Sequence, residues 1–129
     1  MASLLTVARA GSACGMLRQL LKSKIHRAYI TDAHVDYEGS ITIPEDLMEA
    51  TGLWEGEKVL VASITSGARL ETYVQRGPAG SRAFVVNGGA ALLIPRGHRV
   101  SIMAFGLSAE AIEVQRVVLD EKNHVMREG

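Results

Sequence analysis

Short runs of hydrophobic and β-branched residues, separated by glycine or polar breaks, follow one another along most of the chain. Such runs between turn residues are typical of β-strands. From Met16 onward the pattern predicts seven strands, at Ile25–Thr31, Ser40–Ile43, Lys58–Ile64, Arg69–Gln75, Ala83–Val86, Arg99–Phe105 and Gln115–Leu119. Many short strands with few helices predict a mainly β fold, a small barrel or a sandwich.

One stretch, PEDLMEATG, predicts a helix. Pro44 suits the first helical position, and Glu45 and Asp46 place negative charge at the positive end of the helix dipole. Gly52 is the expected C-terminal stop. A weaker helical pattern covers Ser108–Ile112, so one or two short helices are expected.

A faint internal repeat links WEGEKVLVA to PRGHRVSIM. Gly56 and Gly97 occupy equivalent positions in these two segments, and each is expected to form a sharp turn into a buried strand. Two copies of the pattern suggest pseudo-two-fold symmetry. The C-terminal segment RVVLDEKNHVMREG predicts the end of a strand, a polar turn at Asp120–Asn123 and a short return.

Size and composition indicate one packed domain. The chain has 129 residues, 47% of them hydrophobic and 22% charged, and its 14 basic and 14 acidic residues balance. A neutral chain lacks the broad basic field that nucleic-acid binders use, so no nucleic-acid partner is expected. No apolar run approaches the length of a membrane span, and no membrane association is expected. A lone cysteine, Cys14, fits a reducing compartment, so we expect a cytoplasmic protein.

The first residues, MASLLTVARAGSACG, interrupt this regular pattern. Their apolar stretch is short and lacks a basic leading region, which argues against a secretory signal. We expect residues 1–15 to be a flexible N-terminal extension and residues 16–129 to form a single domain.

Conventional metal and cofactor sites have no sequence support. The four histidines are scattered without cysteines or carboxylates at ligand spacing, so no metal is expected. The pair Gly88-Gly89 does not belong to a phosphate-loop or dinucleotide-binding pattern, and no nucleophile elbow is present. Taken alone, Asn87-Gly88-Gly89 predicts a hairpin loop, and Gly39-Ser40 before a strand predicts an ordinary tight turn.

Several motifs in a fixed order change this interpretation. The segments KIHRAYITDAHVDYEGSITI, GARLETY and VNGGAA resemble the pyruvoyl-dependent aspartate decarboxylases, over Met16 to about Phe105. The resemblance implies a double-psi β-barrel, which agrees with the strand count and the paired glycine motifs. It also implies decarboxylation of L-aspartate to β-alanine in pantothenate biosynthesis, by homotetramers with active sites at subunit boundaries.

The resemblance gives Gly39-Ser40 a chemical role. The chain would be a zymogen in which the Ser40 hydroxyl attacks the Gly39 carbonyl, converting the amide to an ester. Elimination would then leave a β chain ending at Gly39 and an α chain whose residue 40 becomes a covalent pyruvoyl group. Thr72 and Asn87 would stabilise the oxyanion, and Tyr37 would shape the processing turn. Glycine at position 39 is expected to remove an obstruction and to permit a strained turn.

The mature reaction implied by the resemblance uses further residues. The pyruvoyl group would form a Schiff base with the substrate amine and act as an electron sink for loss of carbon dioxide. Tyr73 would donate the proton that replaces the lost carboxylate. Arg69 and Lys24 would bind the two carboxylates of aspartate, with His26 supporting them. The remaining substrate contacts would come from Thr72 and from the backbone at Gly88, Gly89 and Ala90.

Two positions depart from the family pattern. Gly89 and His98 stand where alanine and aspartate are expected. Gly89 should loosen the substrate loop slightly. His98 lies in the second glycine turn, so we expect it to affect stability more than chemistry.

Two alternatives remain open. SITIPEDLMEATGLWEGEKVLV resembles the swapped-hairpin DNA-binding modules of transcription regulators, but it contains five acidic residues against Lys58 alone. That assignment would also leave the Arg-x-x-Thr-Tyr and Asn-Gly motifs unexplained. The other alternative is a pyruvoyl decarboxylase for another amino acid, against which the two expected cations argue modestly.

Overall fold

The computed structural model describes residues 15–128 and is mainly β, as predicted. Within this range the strands are β1 Arg18–Tyr29, β2 Asp32–His34, β3 Ser40–Pro44, β4 Lys58–Ser63, β5 Arg69–Gly77, β6 Val85–Asn87, β7 Arg99–Ser108, β8 Gln115–Leu119 and β9 Val125–Glu128. All seven predicted strands are present, and the predicted C-terminal return is β9. Strand β2 was not predicted, and β1 begins seven residues earlier than expected.

The strands form one mixed sheet in the order β2-β6-β3-β5-β4-β7-β1-β8-β9. Strands β4 and β7 lie at its centre and pair antiparallel. On one side β5 pairs antiparallel with β4 and parallel with β3; on the other, β1 pairs antiparallel with β7 and parallel with β8. The pairing pattern is therefore the same on both sides of the β4–β7 pair, as the sequence repeat suggested.

The repeated glycines perform the expected local role. Gly56 and Gly97 have φ angles of +85° and +98°, a region that suits glycine, and each lies two residues before one of the central strands. Each turn is also bonded to the rest of the sheet, because the Gly56 amide donates to the Val74 carbonyl and the Gly97 amide to the Ile30 carbonyl.

Helix α1, Glu45–Thr51, follows β3 directly. Pro44 is its N-cap and the last residue of β3, one position before the expected place. Gly52 ends the helix in the left-handed conformation, as predicted. The helix buries Leu47, Met48 and Thr51.

The second helix is not where the sequence analysis placed it. Ser108 ends β7, and its side chain exchanges two hydrogen bonds with the backbone of Glu110, so the Ser108–Ile112 prediction is wrong. Such local side-chain bonds compete with helix formation. Helix α2 instead spans Ala90–Leu93, directly after Asn87-Gly88-Gly89, which therefore enters a helical turn and not a hairpin.

One cluster of buried aliphatic residues with Phe84 forms the core under the sheet and α1. No helix within the described range is long and apolar enough to cross a membrane. The expected extension at residues 1–15, with Cys14, lies outside the described residues apart from Gly15.

Candidate active site

Strand alternation places a group of polar residues on the outward face of three neighbouring strands. Ile41 and Ile43 of β3 are fully buried in the core, so Ser40 and Thr42 project to the opposite face. The β3–β6 ladder pairs Ser40 with Asn87, and the β3–β5 ladder pairs Thr42 with Gln75. These four polar residues are therefore neighbours on one surface.

The Ser40 side chain is held between two amides. Its hydroxyl donates to Gln75 Oε1 over 2.8 Å and accepts from Asn87 Nδ2 over 3.0 Å. Asn87 Nδ2 also donates to the Thr42 hydroxyl over 3.3 Å. Ser40 is fully buried, so these bonds replace the water that its hydroxyl has lost. The serine at the start of β3 is thus oriented and shielded from solvent.

The other end of the Asn87 amide is unpaired. Asn87 Oδ1 is buried and has no hydrogen-bond partner among the described residues. Leaving a buried acceptor unpaired costs about 1–3 kcal/mol, so such atoms are rare and often functional. Oδ1 can therefore accept a hydrogen bond from a donor that binds beside it.

Gly88 allows two turns to approach each other closely. A Cβ on Gly88 would lie 2.7 Å from Gly39 Cα and 3.1 Å from the Tyr37 carbonyl oxygen, and the Gly88 φ is +80°. The Gly88 amide also donates to the His34 carbonyl over 2.8 Å. Only glycine satisfies both the space and the conformation at this position.

Gly39 itself does not have the expected strain. Its φ lies outside the left-handed region, and a Cβ there would meet no atom of residues 15–128 within 4 Å. The expectation of a glycine-dependent strained turn at position 39 is therefore wrong. Glycine is instead required at Gly88, the residue that contacts Gly39.

A cavity of about 580 Å³ opens beside this cluster. It is lined by His34, Tyr37, Glu38, Thr42, Glu55, Gly56, Tyr73, Val74, Gln75, Val85 and Asn87. Tyr37 packs its ring against His34 at a centroid distance of 4.7 Å. Tyr37 is 62% exposed and Tyr73 is 42% exposed, so both tyrosines are accessible. Ser40 does not line the cavity, but its partners Gln75 and Asn87 do.

Thr72 lies on the face of β5 opposite to that of Tyr73. The burial pattern of β5 places Leu70, Thr72 and Val74 towards the core, and Arg69 and Tyr73 towards solvent. Continuing the β3–β5 register backward from the Ile41–Val74 pair would set Thr72 beside Gly39. Thr72 can thus approach the Gly39 backbone but does not share the face of Tyr73.

The two expected cations, Arg69 and Lys24, and the supporting residue His26 do not line the cavity. Arg69 lies at the start of β5, roughly 13 Å along the strand from Tyr73. Lys24 and His26 are on β1, which pairs with β7 and β8 and not with β3, β5 or β6. Within one chain the structure therefore brings Gly39, Ser40, Tyr37, Tyr73, Asn87 and Gly88 together, but not Lys24, His26 or Arg69.

The environment of His26 disfavours the charged form of its imidazole. Burial lowers the pKa of its imidazole below the ordinary value of 6.5, and the positive charges of Lys24, Arg27 and Arg127 lower that pKa further. Its Nδ1 lies 2.8 Å from the Ser101 hydroxyl on β7, which fixes the ring.

Sequence reasoning did not identify Gln75, Thr42 or His34 as members of this site. Gln75 ended a predicted strand and Thr42 lay inside another, but only the parallel β3–β5 register brings them together beside Ser40. His34 is the last residue of β2. This strand pairs with β6 over only three residues, which is too short to show a strand pattern in the sequence.

Comparison with known proteins settles the family. A family model for aspartate decarboxylase matches residues 16–126. The chain belongs to the aspartate decarboxylase family. This confirms the resemblance carried by the Lys-x-His-Arg, Tyr-x-Gly-Ser, Arg-x-x-Thr-Tyr and Asn-Gly motifs, and the expectation that the chain is an enzyme of this family.

Curated relatives named aspartate 1-decarboxylase match over nearly their whole length. The protein from Thermotoga petrophila is 49% identical over 113 residues, covering 88% of this chain and 99% of the relative. Those from Corynebacterium efficiens and Bacillus cereus strain ATCC 10987 are 49% and 44% identical, covering 88% and 86% of this chain and 87% and 91% of the relatives.

Among residues 15–128 no group of His, Cys, Asp or Glu side chains could hold a metal ion.

Alanine at Gly88 and alanine at its neighbour Gly89 together test whether the close approach to Gly39 requires glycine at position 88. Gly88→Ala is expected to destabilise the fold by at least about 2 kcal/mol, because its Cβ meets Gly39 and its φ is positive. Gly89→Ala is expected to change stability by less than about 1 kcal/mol, since its φ is −58° and its Cβ has open space among the described residues. Denaturant unfolding of both variants, with Ser40 replaced by alanine to keep one uncut chain, measures the difference; equal stabilities would contradict this role of Gly88.

Proposed function

We propose that this protein decarboxylates L-aspartate to β-alanine, supplying pantothenate biosynthesis, after cleaving itself between Gly39 and Ser40. Membership of the aspartate decarboxylase family supports the reaction class. The observation that carries the self-cleavage is the buried Ser40 hydroxyl, oriented by two amides at the residue that follows Gly39.

The cleavage moves one acyl group and one proton. Ser40 Oγ forms a bond to the Gly39 carbonyl carbon, the carbon–nitrogen bond breaks, and the hydroxyl proton ends on the Ser40 nitrogen. Loss of the Ser40 Cα proton then breaks the Cβ–Oγ bond and releases Gly39 as a carboxylate. Water replaces the nitrogen of the remaining enamine and releases ammonia, which leaves a ketone at residue 40.

Neighbouring donors assist the attack. The Thr72 hydroxyl on the adjacent strand and the Asn87 amide stabilise the negative charge on the Gly39 oxygen. Asn87 Nδ2 donates to Ser40 Oγ and to Thr42 before the attack, and one of these hydrogens turns to the Gly39 oxygen as Oγ bonds to the carbonyl carbon. Tyr37 and Gly88 shape the turn, because the Tyr37 carbonyl and Gly39 Cα enclose the space that a side chain at position 88 would fill.

The surroundings of residue 40 fit a pyruvoyl group. When present, this group supplies an electron sink for the bond that loses carbon dioxide. Asn87 Nδ2 can donate to its ketone oxygen, and Asn87 Oδ1, which has no partner among the described residues, can accept a hydrogen bond from the substrate amine. Cleavage frees the Gly39 end of the chain, so the enclosed residue 40 gains access to the adjacent cavity. Tyr73, a lining residue with an exposed side chain, donates the proton to the substrate carbon.

The charge of the cavity supports the proposal of a site shared between copies of this chain. Its described lining contains the carboxylates of Glu38 and Glu55 but no Lys or Arg. Aspartate has two carboxylates, so binding it requires cations from elsewhere. We assign these to Arg69 and Lys24 of a neighbouring copy, supported by its His26, in a homotetramer. Thr72 and the backbone at Gly88, Gly89 and Ala90 complete the substrate contacts.

Ser40→Ala tests the self-cleavage directly. Alanine has no nucleophile, so the variant is expected to remain one chain and to release no carbon dioxide from L-aspartate. Ser63→Ala is the matched control: it also removes a buried hydroxyl, one that contacts His98, and is expected to cleave normally. Mass spectrometry and a carbon dioxide assay measure both properties, and full decarboxylation by the uncut Ser40→Ala chain would refute the proposal.

Tyr73→Phe separates turnover from maturation. The variant keeps the ring and is expected to cleave, but removing the proton donor should lower kcat at least about 100-fold. Steady-state kinetics on fully cleaved protein measure this effect. Turnover equal to that of the unchanged protein would remove Tyr73 as the proton donor.

A further inference from the structure

The hydrogen bond from the Ser40 hydroxyl to Gln75 has no part in the motifs that define the site. Gln75 Oε1 lies 2.8 Å from Ser40 Oγ and is the acceptor of its proton. The other amide, Asn87 Nδ2, can only donate to the same oxygen. Of the residues that the structure describes, Gln75 is therefore the one that fixes where the hydroxyl hydrogen points.

The position of Gln75 makes this contact geometrically specific. In the parallel β3–β5 ladder, Gln75 is registered with Thr42, and Val74 with Ile41. Gln75 therefore reaches diagonally towards the start of β3 to contact Ser40. The residue is otherwise exposed on an outer strand face, so the contact with fully buried Ser40 is not a by-product of core packing.

The chemistry of the attack depends on this orientation. A serine hydroxyl attacks a carbonyl through a lone pair of Oγ while its proton points away from the carbon. With its proton directed at Gln75 Oε1 and one lone pair accepting from Asn87, Oγ has a single lone pair left for the Gly39 carbonyl carbon. A neutral amide accepts a hydrogen bond but does not take up the proton at neutral pH. Gln75 thus acts on the orientation of the nucleophile and not as its base.

We propose that Gln75 is a positioning residue for the self-cleavage, which sets the rotamer of the Ser40 hydroxyl for attack on Gly39. This inference rests on the proposed self-cleavage. The bond changes are those of the acyl shift: Oγ–C forms, C–N breaks, and the proton passes from Oγ to the Ser40 nitrogen. Once Oγ has left with Gly39, Gln75 loses this partner, so the hydrogen bond between them acts only on maturation.

The test compares cleavage rates of full-length chains made by cell-free translation. Gln75→Leu removes the acceptor and is expected to slow cleavage about tenfold, the effect of losing one hydrogen bond. Gln75→Glu restores an acceptor that can also remove the proton, so cleavage should return and its rate should rise with pH as the new carboxyl ionises, near pH 4–5. The unchanged protein should lack that pH step. Glu71→Leu is the matched control on the same exposed face of β5 and should cleave normally.

The outcomes separate this inference from the proposed function. Normal cleavage of Gln75→Leu, while Ser40→Ala stays uncut, would overturn the role of Gln75 and leave the self-cleavage standing. Equal slowing of Gln75→Leu and Gln75→Glu, without a pH step, would reduce Gln75 to a structural residue and also overturn it. If the unchanged protein is never cut, both proposals fail. Slow cleavage of the Gln75→Leu chain, together with a pH-dependent return of the cleavage rate in Gln75→Glu, would establish the positioning role.

Discussion

The direct pairing of Ser40 with Asn87 across the β3–β6 ladder is the contact on which the site depends. It brings a hydroxyl and an amide to 3.0 Å, and it buries both beneath the turn that carries Gly39. The pairing is only three residues long, so it needs support from outside the ladder. Gly88 provides that support, because its missing side chain lets the chain after β6 lie against the turn before β3. Local backbone geometry and the chemistry at residue 40 are thus parts of one arrangement.

Much of the fold follows from the sequence, and the failures have physical causes. Predicted strands are present because β-branched runs between glycine breaks leave few alternatives, and the ends of α1 follow from Pro44 and Gly52. The helix predicted at Ser108–Ile112 fails because the Ser108 side chain bonds to the local backbone instead. Helix α2 is only four residues long, too short to show a hydrophobic period. The double-psi topology stays a prediction.

The sequence motifs of the site could be predicted, but the residues that strand pairing brings beside them could not. Gly39, Ser40 and Asn87 were identified through a family resemblance, which fixes residue types in order along the chain. Gln75 was not, because its importance arises from the register between two parallel strands that are distant in sequence. Lys24, His26 and Arg69 illustrate the opposite case: their motifs are specific, yet one chain does not bring them to the cavity. The proposed sharing of the site with a second copy of the chain would account for both facts.

The acidic segment that resembled a DNA-binding module is engaged within the fold. Glu45 and Glu55 pair with Arg76, Asp46 pairs with Arg82, and Glu57 pairs with Lys22. These pairs engage the acidic residues of the segment with cations from outside it. The segment's own cation, Lys58, pairs with Glu71, which disfavours phosphate binding. The likeness to such modules is therefore one of local architecture, which does not determine function.

The central claim is that residue 40 becomes a ketone that reacts with aspartate. It is tested most directly by incubating purified protein with isotopically labelled L-aspartate and cyanoborohydride, which links an amine to a ketone, and then locating the label by peptide mass spectrometry. The account predicts two fragments, with the label at residue 40, the first residue of the larger one. A single uncut chain with an unlabelled serine at position 40, in a preparation that releases carbon dioxide from aspartate, would contradict it.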